Sequence, residues 1–384
     1  MKTILVFTVS VAFCLAAFPV SILSDACPRF ACCDTTIASQ VIDTTHVVRT
    51  NLQRSVVRIC MPNGQSNSTG TLINNVQCGN STPKPYVFAC AHALLGADLD
   101  SMMFVFGFVS DTCVDPDPDD QSQPPSASDS VIIGATRVAY ARDPNDAGID
   151  YMLLELHDDP IARGFNPFYA GWTINQNITS PTVGLSHLGG LPLMITLNAT
   201  APADNWWGNY NLWGYDDGTD YGQVSQGSSG SGLFTLDTID CKLIGSLSGS
   251  LGWSTCHGTD ISYTKFSTSW NEDCCNGTTG NADFDSYGQV TVGDVGAIIE
   301  YLFLSQTPPP CPVAADVNAD GWITISDLGA LNAYLLSDTV TLATCEQARA
   351  YWPQLSDFLD PTGTLDSLNG WDSNDAYPYA NGCQ

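Results

Sequence analysis

From residue 27 to about residue 270 the chain is a succession of short apolar runs, each broken by Gly, Pro, Asn or Asp. Examples are "SVVRICM", "YVFACA", "MFVFGFV", "VIIGATRVAYA", "YMLLEL" and "KLIGSLSG". Segments of this length, rich in β-branched and aromatic residues and closed by turn formers, are strands rather than helices. Their number and spacing restrict this part of the chain to an all-β barrel or sandwich. Residues 111–129, "DTCVDPDPDDQSQPPSASD", read as a solvated loop inside that unit, because strands resume beyond it.

After Trp270 the texture changes. Two similar segments follow, "DFDSYGQVTVGDVGAIIEYLF" from Asp283 and "DVNADGWITISDLGALNAYLL" from Asp316, 33 residues apart. In the second, Asp316, Asn318 and Asp320 fall at loop positions 1, 3 and 5, Gly321 at 6, Trp322 at 7, Thr324 at 9 and Asp327 at 12. Alternate side chains at that spacing converge on one calcium ion, the glycine allows the sharp turn, and the Trp322 carbonyl adds a ligand. The first segment has Asp283, Asp285, Gly288, Thr291 and Asp294 at the matching places, but Tyr287 at position 5 brings no carboxylate, so it is the weaker site. Val295, Ile298, Ile299, Leu302 and Phe303 then recur with helical period. "TPPPCP" precedes the second loop, so each unit reads as loop-helix. The pair resembles a type I dockerin, a module that docks onto cohesin domains. Dockerins often carry hydroxyl pairs at loop positions 10 and 11; Val292-Gly293 and Ile325-Ser326 stand there instead.

With 40 acidic and 12 basic side chains the net charge is −28, which argues against nucleic acid and against an anionic membrane surface. The N-terminus, "MKTILVFTVSVAFCLAAFPV", has the pattern of a secretory signal peptide, with an uncleaved membrane anchor as the alternative. Of 15 cysteines, Cys14 falls in that segment, and the remaining 14 suit up to seven disulfides in an oxidising compartment. No spaced pair of CxxC motifs points to structural zinc. Asn67, Asn80, Asn177, Asn198 and Asn276 each begin a glycosylation sequon.

"QGSSGSGLF", Gln226 to Phe234, is either a flexible turn or a loop that holds one serine in a special geometry. His92 follows the strand-like "KPYVFACA", and small residues flank it. Asp150 begins another buried run, where a carboxylate is costly unless hydrogen-bonded. A histidine Nδ1–H suits it. Together "GTLINN", "YVFACAHAL", "IDYMLLEL", "FYAGW", "GSSGSGLF" and "KFSTSW" resemble, in order and spacing, the trypsin-like serine proteases, most closely the lysyl endopeptidase branch. The resemblance implies two six-stranded antiparallel β-barrels with the active site between them. It implies His92 as general base, Asp150 as its orienter, Ser229 as nucleophile, and the amides of Gly227 and Ser229 as the oxyanion hole. Peptides or proteins are the implied substrates, and calcium is structural, with no cofactor needed for catalysis.

Three departures accompany the likeness. Ala93 stands where many relatives have a cysteine after the histidine, and Cys90 lies two residues before it, open to pairing with Cys60 or Cys78. Ser228 replaces the Asp that often precedes the nucleophile. The pocket positions are Gln223, Ser248 and Asp260, of which only Asp260 offers a charge for a basic side chain. The expected organisation is a signal peptide at 1–24, a protease domain at 25–271, a linker at 272–282, a calcium module at 283–340, and a tail at 341–384 without an assigned role. The protein is then secreted, free of the membrane once the signal is removed. The alternative is a catalytically inactive trypsin-like binding protein or scaffold component attached through the calcium module.

Overall fold

The computed structural model describes residues 51–359 apart from 76–82, 110–124, 126–129, 143–148, 199–200, 205–209, 213–223, 225, 237–240, 252–258, 271–274, 276, 284–288, 305–308, 310, 338–339 and 353–354. The signal segment, Gln223, Asp285, Tyr287, Gly288, Cys78, Asn80 and Asn276 lie outside the described residues, as does the side chain of Asp260.

The β-type runs form two antiparallel sheets. The first contains β1 (Val56–Cys60), β2 (Ser66–Ile73), β3 (Tyr86–Ala89), β4 (Met103–Phe106), β5 (Ser130–Ile133), β6 (Ala135–Arg142) and β7 (Asp150–Leu156), in the order β5-β4-β1-β2-β3-β7-β6. The second contains β8 (Thr182–Ser186), β9 (Met194–Asn198), β10 (Ala203–Asp204), β11 (Tyr210–Leu212), β12 (Gly232–Thr235), β13 (Leu243–Leu251) and β14 (Thr259–Lys265), in the order β10-β11-β14-β13-β12-β8-β9. Each sheet therefore has seven strands where the resemblance implied six. In the first sheet the extra strand arises at Gly134, whose φ of 87° breaks one run into β5 and β6. These are the two edges of the sheet, and a single residue joins them, so the sheet curls round upon itself. In the second sheet the extra strand is the two-residue edge β10.

One apolar core runs through both sheets. Phe88 and Tyr151 of the first meet Phe234 and Leu243 of the second, with Trp172 between them and α1 (Phe266–Trp270) closing one side. Phe266 lies 5.0 Å from Phe88 and 5.2 Å from Trp172, centroid to centroid, and Trp172 lies 4.7 Å from Trp270. Aromatic pairs at such spacings add about 0.5–1.5 kcal/mol each beyond the area they bury.

The repeats give α2 (Val292–Ile299) and α4 (Ile325–Leu336), which pack through Val295, Ile298 and Leu331. The apolar period read across Ile299 and Phe303 does not continue as one buried stripe. Residues Glu300–Leu304 form a π-turn, whose i→i+5 bonds widen the turn and rotate the following face, and Phe303 is 59% exposed. A short helix, α3 (Pro312–Ala315), does precede the second loop; Pro312 at its first position suits a helix start, where the missing N–H costs nothing.

The segment read as a linker and the tail are both tied into the structure. Cys275 is disulfide-bonded to Cys345, Thr279 donates its amide to the Ala343 carbonyl, and Thr279 is fully buried. The tail forms α5 (Cys345–Arg349) and α6 (Leu355–Leu359). Leu355 and Leu359 are fully buried in the sheet core, and Phe358 meets Tyr86 edge-on at 6.3 Å. Of the sequons, Asn198 is only 4% exposed and the Asn67 amide is donated to the Ala93 carbonyl, whereas Asn177 stands exposed.

Candidate active site and calcium loops

His92 sits in the turn after β3, Asp150 is the first residue of β7, and Ser229 lies in the turn that enters β12. β3 and β7 are neighbours in the first sheet, so His92 and Asp150 meet through strand pairing. Ser229 must be brought from the second sheet. Two glycines make that approach possible. A Cβ on Gly230, at φ 84°, would lie 2.3 Å from the Thr69 carbonyl oxygen and 2.9 Å from the Cys90 nitrogen. A Cβ on Gly227, at φ 88°, would lie 2.9 Å from the His187 carbonyl oxygen. Only glycine permits both the backbone angle and the contact. Thr69 then fastens the turn, its amide donating to the Ser229 carbonyl at 2.8 Å and its hydroxyl to the Gly227 carbonyl at 2.8 Å.

The three side chains form a continuous chain of hydrogen bonds. His92 Nε2 is 2.9 Å from Ser229 Oγ, and His92 Nδ1 is 2.5 Å from Asp150 Oδ2. Asp150 is 1% exposed, yet its carboxylate takes four donors: the amides of Ala91 and His92, the His92 ring and the Ser248 hydroxyl. Burial raises its pKa, but the bonds from His92 and Ser248 outweigh burial and hold it below the ordinary carboxylate value. Burial lowers the His92 pKa, but Cys90 and Asp150 favour the imidazolium more strongly, and the ring is raised above its ordinary value. The site thus favours the charged ring that proton transfer from Ser229 would create. Among the described residues neither the Gly227 nor the Ser229 amide has an acceptor, which leaves both N–H groups for a ligand oxygen.

Ser248, expected in the specificity pocket, has its hydroxyl on Asp150 Oδ2 at 2.7 Å. Sequence reading missed this fourth partner because β13 is Gly- and Ser-rich throughout. Asp260 lies in β14. Cys60 and Cys90 are both free thiols, which corrects the expected pairing of Cys90 with Cys60.

In the second loop Asp316, Asp320 and Asp327 offer carboxylate oxygens within 4.8 Å of one another. Asp316 accepts from the amides of Asp320 and Gly321, and Gly321 takes φ 86°. Burial, then the charges of Asp316 and Asp320, raise the Asp327 pKa despite its bonds to Thr324 and Asn318. Three converging carboxylates with no cationic partner among the described residues fit a hard, oxygen-seeking cation, so Asp316, Asn318, Asp320, Asp327 and the Trp322 carbonyl would hold calcium. Thr324, also expected as a ligand, caps α4: its hydroxyl accepts from the Ser326 amide while Asp327 accepts from the Thr324 amide. The first loop repeats the cap with Thr291 and Asp294, and Asp294 also accepts from the Asp283 amide. Val292 and Ile325, at position 10 of each loop, are 77% and 69% exposed.

Comparison with known proteins gives two families. The lysyl endopeptidase C-terminal domain matches residues 26–267, and the dockerin type I domain matches residues 281–336. No curated protein matches the chain. Among solved structures, an inactive-form protease of M. tuberculosis H37Rv is 17% identical, with 62% of this chain and 91% of that one covered and a TM-score of 0.33. The thermostable serine protease AL20 from an extremophilic microorganism is 10% identical, over 56% of this chain and 92% of that one, at a TM-score of 0.38. Protease Anisep from Arthrobacter nicotinovorans is 11% identical, over 56% and 90%, at 0.36.

Proposed function

Because the chain belongs to the lysyl endopeptidase C-terminal domain family and carries a dockerin type I module, we propose that it is a secreted serine endopeptidase acting through Ser229, His92 and Asp150. The observation that carries this reading is the unbroken hydrogen-bond chain from Ser229 Oγ through the His92 ring to the buried Asp150 carboxylate. Ser229 Oγ attacks the peptide carbonyl carbon while His92 Nε2 takes its proton. Asp150 holds the ring in the Nδ1–H tautomer and stabilises the imidazolium. The oxyanion that forms is met by the amides of Gly227 and Ser229. His92 gives its proton to the leaving amine, and the acyl-enzyme is cleared when a water, deprotonated by His92, repeats the attack.

The family's name points to lysyl bonds. Asp260 would supply the charge for such a side chain, because a carboxylate facing lysine makes a charge-assisted bond that a neutral residue cannot replace. Residues 1–24 act as the export signal, residues 25–271 cleave, and residues 283–340 bind calcium and present Val292 and Ile325 to a cohesin-like partner.

A fluorophosphonate should label the calcium-loaded protein at Ser229 and leave Ser229→Ala unlabelled. Labelling at Ser228 or Ser231 would assign the wrong serine. Folded protein that takes no label and cleaves nothing in a broad peptide library would be a binding protein instead. Within that library, a preference unchanged by Asp260→Asn would remove Asp260 from the pocket.

A further inference from the structure

Cys90 is fully buried and free, and its Sγ lies 4.0 Å from His92 Nε2. That nitrogen is the one that faces Ser229 Oγ at 2.9 Å. A thiolate and an imidazole nitrogen bound to zinc at about 2.3 and about 2.0 Å stand roughly 3.5 Å apart at the tetrahedral angle. The pair therefore needs to close by only a few tenths of an ångström, or to open the angle slightly. Its chemistry is selective. Sulfur with imidazole suits zinc and its soft neighbours, whereas calcium and magnesium seek oxygen.

The surroundings also suit a metal. His92 donates its other ring N–H to Asp150, the outer partner that orients a zinc-binding histidine. Asp150 already accepts four hydrogen bonds, so it serves from behind the ring rather than as a direct ligand. The His92 side chain is 23% exposed, which leaves the cleft as a way in.

We propose that Cys90 Sγ and His92 Nε2 form an inhibitory site for a thiophilic divalent cation such as zinc, with the Ser229 hydroxyl and water at the remaining positions. On binding, Cys90 Sγ and His92 Nε2 release whatever protons they carry to solvent, and each gives a lone pair to the metal. Nothing is oxidised, and removing the ion restores the site. The inhibition rests on the protease reading above, but the metal site itself does not.

The test uses the full chain with its loops saturated with calcium. Cobalt(II) should give a near-ultraviolet thiolate-to-cobalt absorption that zinc abolishes, that Cys60→Ser retains, and that both Cys90→Ser and Cys90→Ala lose. An absorption that is absent from the wild type, or that survives both Cys90 variants, overturns the site. Zinc should also suppress fluorophosphonate labelling of Ser229, read in each protein as the ratio with and without the ion. The zinc needed should rise at least ~10-fold in the Cys90 variants. Equal zinc sensitivity in wild type and variants overturns the inhibition. A wild type that shows the cobalt absorption but takes no label in metal-free cleft conditions would leave the site standing and the protease reading fallen.

Discussion

The two acidic sites of this protein treat negative charge in opposite ways. In the cleft one carboxylate, Asp150, is buried and receives four donors from three residues in two parts of the chain, Ala91-His92 and Ser248. In the second loop three carboxylates from one short stretch, Asp316, Asp320 and Asp327, converge on one another. The cleft is satisfied by the fold and is organised before any ligand arrives. The loop's carboxylates also accept amide, side-chain and indole donors, but among the described residues no positive side chain offsets their three charges, and a cation would supply that charge. Preorganisation against developing charge is what a reacting site needs, and repulsion awaiting an ion is what an ion-dependent docking module needs.

The comparison can be broken most decisively at the cleft. Ser229→Ala and His92→Ala should each cut peptide hydrolysis by on the order of 10⁵–10⁶, and the double variant should lose little more, because the pair acts as a unit. Additive losses would mean that the hydrogen-bond chain is not used as one. Asp150→Asn should cost on the order of 10⁴, by letting the ring adopt the wrong tautomer. Calcium affinity should be unmoved in all three.

Acid should separate the two regions by sign. His187 is fully buried beside the Gly227 turn, and burial holds its pKa down, to about 4. Unfolded, it titrates near 6.5, so between pH 6.5 and 4 the unfolded chain binds the extra proton and stability falls as pH falls. At roughly 1.4 kcal/mol per unit the loss amounts to about 3 kcal/mol by pH 4. His187→Gln should flatten that slope in urea-unfolding measurements. In calcium-free protein the raised Asp327 runs the other way: its contribution is full below its unfolded value and lost as pH rises through the folded one.

Smaller effects sharpen the contrast. Ser248→Ala removes one of four donors to a charged acceptor, a loss of about 1.5–3 kcal/mol that should appear as a ~10–100-fold fall in kcat/KM with calcium binding intact. Asp320→Ala should weaken calcium at the second loop by roughly tenfold or more, by calorimetry, with labelling of Ser229 unchanged. An Asp320→Ala protein that binds calcium as the wild type does would remove Asp320 from the ligand set.

The same contrast explains what the sequence made legible. The calcium loop is local, so Asp316, Asn318 and Asp320 announce themselves by spacing. The quoted apolar runs map onto β1, β3, β4, β5, β6, β7 and β13 because each is long enough to show its pattern. β2 does not, because Ser68, Thr69 and Thr71 fill its buried positions and mask the apolar signal. The cleft residues are separated by up to 137 positions, and only the resemblance joined them. Ser248 has no local signature at all; what defines it is Asp150, its partner from the other sheet. Cys90 stands two residues from His92, but that spacing does not reveal a free thiol facing the ring. The tail was opaque because α6 buries only two leucines one turn apart, too few for a period to register.

That tail changes what docking would accomplish. Trp352 donates its indole N–H to Asp316, at position 1 of the second loop, at 2.9 Å, and a few residues later Leu355 and Leu359 enter the sheet core. Tyr140 of β6 reaches back to the Pro309 carbonyl at 2.8 Å. A protease on a slack tether would sweep the volume around its anchor and meet whatever diffused through it. Here these contacts put the module and the cleft in one frame, so a cleft that cuts would keep a fixed bearing to whatever held the module. Which neighbours were cut would then be a matter of angle as much as of sequence.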